Sequence, residues 1–132
     1  MTKKSSYEDL QDNVRSIKLP DIEVWTNQYP DRNYTIHLNV PEFTCICPKT
    51  GLPDFGTINL SYIPNKDCLE LKSFKLYIVA YRNLGIFHEH FVNRILDDVV
   101  KACQPRWAKV EGIVNARGGI ATTVQAEYKR KC

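Results

Sequence analysis

One stretch of the chain concentrates reactive side chains: Thr44-Cys45-Ile46-Cys47-Pro48-Lys49-Thr50-Gly51-Leu52-Pro53-Asp54-Phe55-Gly56-Thr57. It holds two thiols, a lysine and a carboxylate between two prolines and two glycines, and no periodicity runs through it. Pro48 fixes its own φ and biases Cys47 away from helix. Gly51 and Pro53 mark further turns. Cys47 and Asp54 are therefore expected at two ends of one short, stiff loop, on the same side of whatever lies beside it. A thiol and a carboxylate held that way can act as nucleophile and proton donor on one small substrate. A turn-rich segment lies at the surface, where a thiol is reachable, and Lys49 favours the thiolate if it points inward. The bland alternatives are a buried structural cysteine and a metal pair formed by Cys45 and Cys47.

Two further groups of residues carry chemistry. His88-Glu89-His90 opens a helix and puts Glu89 in its first turn, where backbone N–H groups favour an anion. A zincin pattern needs a histidine at 92; that residue is Val92, so the motif fails. His88 and His90 lie about 200° apart around a helix and do not easily face one ion. A zinc site drawing on histidine, Cys103 and the Cys45/Cys47 pair stays open as a weaker alternative. On the preceding helix Glu70, Ser73 and Tyr77 share one face, and Lys72 and Lys75 another. That pattern suits a solvated face with a Glu-to-Lys pair, or two lysines that hold a phosphorylated cofactor. Arg117-Gly118-Gly119 reads as a hairpin turn. There is no Walker loop and no Gly-x-Gly-x-x-Gly, so a dinucleotide, if used, is not bound in Rossmann fashion.

The elements that position these residues follow from periodicity. Residues 1–18 are polar with a weak helical pattern (Tyr7, Leu10, Val14, Ile17), an amphipathic arm closed by Pro20; the arm as a whole runs to residue 33. Residues 34–40 alternate, with Ile36, Leu38 and Val40 on one face, a half-buried strand ended by Pro41. Residues 57–63 alternate again, with Ile58, Leu60 and Tyr62 on one face. Residues 69–82 then put Leu71, Phe74, Ile78 and Tyr81 at helical spacing, with Asp67 as cap and Asn83-Leu84-Gly85 as stop. A second helix runs from Phe87 to Cys103 with Phe91, Ile95, Val99 and Ala102 on one stripe. Residues 107–114 and 120–128 form a closing hairpin. The order strand-strand-helix-helix-strand-strand makes an α+β domain, an antiparallel sheet with an antiparallel helix pair on one face. Its two open sheet edges are expected to join subunits into a ring.

The totals agree with a single domain over residues 1–132. The 43% hydrophobic and 25% charged fractions are those of ordinary globular proteins, and a formal charge of +3 implies neither nucleic acid nor a membrane surface. No transmembrane run and no signal peptide is read. Five cysteines, an odd number, then read as thiols in a reducing cytoplasm.

Three blocks together carry a family resemblance. Cys47-Pro48-Lys49-Thr50-Gly51-Leu52-Pro53-Asp54-Phe55 resembles the nucleophile loop of the NADPH-dependent 7-cyano-7-deazaguanine reductases, the nitrile reductases of the queuosine pathway, in their short single-module form. Glu70-Leu71-Lys72-Ser73-Phe74-Lys75-Leu76-Tyr77 fits that family's signature at every position, and Phe87-His88-Glu89 resembles its substrate-binding block. The resemblance covers nearly the whole chain, with the segment before Tyr34 least informative. It implies the tunnelling fold shared with GTP cyclohydrolase I, with homo-oligomeric, stacked rings and sites at subunit interfaces. It implies reduction of a nitrile to a primary amine by two NADPH, with no metal in the chemistry and no direct nucleic-acid or membrane partner. By the same resemblance Cys47 is the nucleophile that forms a thioimide and Asp54 the proton donor. Glu89 holds the 7-deazapurine ring, Leu69, Glu70 and Leu71 add substrate contacts, and His88 assists near the nitrile. Lys72, Ser73 and Lys75 face the cofactor. Two rivals stay beside this expectation: a zinc-dependent pterin or GTP enzyme of the same fold, and a non-catalytic purine-binding oligomer.

Overall fold

The computed structural model describes residues 10, 11 and 13–131. Its strands and helices are β1 (Val24–Thr26), β2 (Ile36–Ile46), β3 (Pro53–Ile63), β4 (Asp67–Leu69), α1 (Leu71–Val79), α2 (His88–Cys103), β5 (Trp107–Arg117) and β6 (Ile120–Lys129). The four long strands form one antiparallel sheet in the order β2-β3-β5-β6, and β1 pairs with β4 in a separate ribbon. The expected α+β order is present. α2 packs over β5 and β6, and α1 lies against β2.

Alternation explains the sheet. Ile58, Leu60, Tyr62, Ala108 and Val110 point to the helices and are buried. The opposite face is polar. There Asn39 donates to Asn59 at 2.6 Å, Asn59 to Glu111 at 3.2 Å and Gln125 to Glu111 at 2.8 Å, one row of side chains crossing all four strands. The α2 stripe of Phe91, Val92, Ile95, Leu96 and Val99 closes the core, each side chain contributing about 1.5–3 kcal/mol on burial. Gly112 allows this close packing: a Cβ there would stand 2.7 Å from Val92 Cγ2. Between the helices Tyr77 donates to Asp98 at 2.5 Å and pairs with the Tyr81 hydroxyl at 2.8 Å. Burial pushes both tyrosines far above their ordinary value.

Several boundaries differ from the sequence expectation. Pro41 does not end its strand; β2 passes it through a bulge between Val40 and Phe43, which an edge strand tolerates. Only residues 47–52 of the central stretch lie outside strands. Asp67 does not cap α1, because it pairs with Thr26 in β4. The cap is Glu70, whose carboxylate accepts from the Lys72 and Ser73 N–H groups, each at 2.8 Å. The inner stripe keeps Phe74, Ile78 and Tyr81 but differs at two positions: Leu71, now the first helical residue, is 58% exposed, while Tyr77, expected with the polar residues, is buried. Among the described residues of the arm the helical pattern yields a 3-10 turn at Val14–Ser16; Tyr7 lies outside the described residues. No helix among the described residues is long and apolar enough to cross a membrane.

Candidate active site

The site is built where β2 stops. At Ile46 the strand's outer edge meets the connection between the helices: the Ile46 N–H donates to Leu84 O at 3.0 Å, and Ile46 O accepts from the Ile86 N–H at 2.9 Å. This short parallel bridge delivers the start of α2 to the start of the Cys47 loop. The loop then closes on itself. The Cys47 N–H donates to Leu52 O at 2.9 Å, and the Gly51 N–H to Cys47 O at 2.8 Å. Gly51 takes φ of +72°, a left-handed conformation that glycine adopts without a Cβ clash.

Asp54 lies opposite Cys45 in the β2–β3 register and is 6% exposed. Its Oδ2 sits 3.0 Å from His88 Nε2, and its Oδ1 sits 3.2 Å from Arg117 Nε. Arg117 also donates through Nη2 to Pro53 O, so it grips both the carboxylate and the backbone beside it. A buried carboxylate without such partners would be costly; here each oxygen has one. Thr44 Oγ1 donates to Asp54 O at 2.8 Å and fixes the strand that carries it.

The two thiols of the loop diverge. Cys45 is fully buried, and burial, followed by the negative charge of Asp54 and the neighbouring Cys47, pushes its thiol up to about 12. For Cys47 burial again acts upward. It is outweighed by hydrogen bonds from the Thr50 hydroxyl and from the Thr50 and Lys49 backbone N–H groups, with the Asp54 charge opposing them, and the thiol falls below its ordinary 9.0. Lys49 thus supports the thiolate through its backbone. A partly exposed thiol of lowered pKa is the form that attacks electrophilic carbon.

Of the residues singled out in the sequence, Asp54 and His88 meet directly, and the Asp54 charge acts on the Cys47 thiol. Arg117 joins them without having been expected there. The signal for it was present, since an arginine directly before a Gly-Gly turn is held at a rigid hairpin end, but a turn alone accounts for those residues. Gly118 and Gly119 have φ of +59° and +82°, the two-residue turn that glycines favour. Glu89 stands in the first turn of α2, exposed to solvent.

The start of α1 is placed differently. Among the described residues no hydrogen bond or ion pair links residues 69–75 to Cys47, Asp54 or His88. Leu69 is buried and its N–H donates to the Tyr62 hydroxyl at 3.0 Å. Glu70 spends both carboxylate oxygens on its cap. Ser73 is turned inward: its hydroxyl accepts from the Glu23 N–H at 2.8 Å and donates to Glu70 O at 2.9 Å. Leu71, Lys72 and Lys75 remain exposed. Lys75 and Arg82 edge a groove of about 920 Å³ between α1 and β2, floored by Phe43, Phe74 and Ile78. Cations beside an apolar floor fit a phosphorylated dinucleotide of the NADPH type. His88 turns to Asp54 and His90 Nδ1 to Gln11. Among the described residues no three His, Cys, Asp or Glu side chains group as a metal site.

Comparison with known proteins decides the family. The model of the family described as QueF: QueF-like protein matches residues 53–132. The NADPH-dependent 7-cyano-7-deazaguanine reductase of Chlorobaculum tepidum is 60% identical over 109 residues, 83% of this chain and 93% of that protein. This chain belongs to the NADPH-dependent 7-cyano-7-deazaguanine reductase family. The reductases of that name from Elusimicrobium minutum and Halorhodospira halophila are 55% and 57% identical, over 86% and 81% of this chain and 86% and 91% of their own. The crystal structure of the archaeosine synthase QueF-Like in the apo form aligns with a TM-score of 0.68 at 26% identity, covering 74% of this chain and 96% of that one. The reductase family therefore accounts for the fold and for the loop sequence at once.

Proposed function

We propose that this chain reduces the nitrile of 7-cyano-7-deazaguanine to an aminomethyl group, with Cys47 as the covalent nucleophile. The observation that carries the mechanism is the lowered thiol of Cys47 beside the buried Asp54–His88 pair. The Cys47 thiolate adds to the nitrile carbon, and the nitrile nitrogen gains a proton as the C–S bond forms. Asp54, hydrogen-bonded to His88 and carrying the proton that the Cys47 thiol gives up on ionising, is the donor. The resulting thioimide is a C=N carbon open to reduction, so one hard step becomes easier ones. NADPH, when bound, supplies a hydride at each of two stages. Between them the C–S bond breaks and Cys47 leaves as thiolate, giving an imine that is reduced to the amine. Lys72 and Lys75 would hold the cofactor phosphates, while Ser73 serves the helix start from inside.

Glu89 accepts from the ring N–H and exocyclic amine of the deazaguanine, two donors side by side that suit one carboxylate. In a single chain Glu89 faces solvent and the 69–75 segment stands apart from Cys47. That supports a site completed by a second copy, as do the outer edge of β6 and the exposed Leu71, Leu76 and Val79 on α1. We propose a homo-oligomeric ring in the cytoplasm, which sedimentation well above 15.3 kDa would support and a clean monomer would contradict.

The test of the reaction is intact mass after mixing the protein with 7-cyano-7-deazaguanine without NADPH. A shift by one ligand mass that is absent in Cys47→Ala is expected. No adduct in a folded sample would remove the thioimide route.

A further inference from the structure

α2 begins without a cap of its own. Its N-cap is Phe87, which has no side chain able to accept from the helix's first N–H groups, and no side-chain cap bond is made there. Yet this turn holds His88 and Glu89. In a capping box a Glu or Gln at the third helical position reaches back to the N-cap N–H; here that position is His90. The acceptor comes instead from the N-terminal arm. Gln11 Oε1 accepts from the Phe87 N–H at 3.3 Å and lies 3.1 Å from His90 Nδ1. Its Nε2 donates to Gly85 O at 3.0 Å and to its neighbour's Leu10 O at 2.9 Å. The three distant contacts bracket residues 85–90, the segment that presents His88 to Asp54. The arm is fastened a second time, where Arg94 donates to Val14 O at 2.6 Å and Ile17 O at 2.5 Å while its Nε holds Asp98 at 2.8 Å.

We infer that the N-terminal arm is part of the catalytic apparatus, with Gln11 a positioning residue that caps α2 from outside the helix and sets His88 and Glu89 for the substrate. The inference rests on the nitrile-reductase assignment and concerns a segment the family match, which starts at residue 53, does not reach. Gln11 touches neither reacting atom; it acts through the turn it holds.

The test compares Gln11→Ala and Gln11→Glu in the full-length chain. Gln11→Ala removes the whole bracket and is expected to raise KM for 7-cyano-7-deazaguanine about tenfold, the scale of one or two net hydrogen bonds, with KM for NADPH unmoved. Gln11→Glu keeps the acceptor for Phe87 and His90 and loses the donor to Gly85 and Leu10; it is expected to recover most of that loss. Hydrogen exchange of residues 85–90 should quicken in Gln11→Ala. An unchanged nitrile KM, or an equal rise in the NADPH KM, would overturn the inference. Should the unaltered chain fail to reduce the nitrile, the reaction assignment falls on its own, and unchanged exchange at 85–90 would still sink the role of the arm.

Discussion

Cys45 and Cys47 stand two residues apart and have opposite fates. Both would face the core if the strand continued, since side chains two apart share a face. β2 stops between them, at Ile46. Cys45 stays in the sheet, fully buried, its thiol pushed up to about 12. Cys47 leaves it and enters a turn whose donors converge on sulfur, and its thiol falls. Residue type and spacing make the two equal; the end of one strand makes one of them a packing group and the other a partly exposed thiol of lowered pKa.

Substitutions can sharpen that contrast. The largest effect is expected at Cys47 itself: Cys47→Ala should abolish NADPH oxidation driven by the nitrile while leaving ligand binding, whereas Cys45→Ala should retain turnover. Residual reduction by the first variant would end the nucleophile assignment. Next comes the group that serves the nucleophile. Asp54→Asn is expected to lower kcat by about 10²–10⁴-fold, the range of a lost general acid, measured in steady state with both substrates saturating. Glu89→Gln acts on binding instead, weakening the deazaguanine by roughly 2–5 kcal/mol through a broken charged pair; calorimetric titration giving equal affinity would remove it from the site.

The thiol pKa gives a subtler effect. Because Cys47 is lowered, alkylation by iodoacetamide should rise with pH and reach half its plateau below the ordinary 9.0. Thr50→Val removes one of the bonds that outweigh burial and the Asp54 charge, so the midpoint should move upward. A midpoint that stays put would mean the hydroxyl does not touch the thiolate. The smallest change is on stability. Cys45→Ala deletes one buried sulfur and should cost about 1 kcal/mol in a denaturant melt, with the alkylation profile of Cys47 preserved.

Much of this was legible in the sequence, and the rest failed for identifiable reasons. Alternation at Ile36, Leu38, Val40 and at Ile58, Leu60, Tyr62 is strict enough to place two strands, and the Phe91, Ile95, Val99 stripe to place α2. Pro41 misled because proline stops an inner strand but not a bulged edge. Asp67 misled because a good capping residue was needed in a ribbon with β1, a pairing across more than forty residues that no local pattern announces. Of the site, Cys47, Asp54 and His88 were named from the loop and its family likeness. Arg117 was not, because its contact with Asp54 depends on the β3–β5 register, and Gln11 was not, because its partners lie 74 to 79 residues away.

The polar row across the outer face of the sheet has a handedness of its own. Glu111, when ionised, can only accept, so the amide groups of Asn59 and Gln125 must both turn their nitrogens toward it. Asn59 then has its oxygen left for Asn39, whose nitrogen is committed in turn. One carboxylate in the middle thus decides the flip of three amides, and both ends of the row, at β2 and at β6, end in oxygen. Whatever meets either rim of this sheet at that level finds the same sign, and is selected to bring a hydrogen.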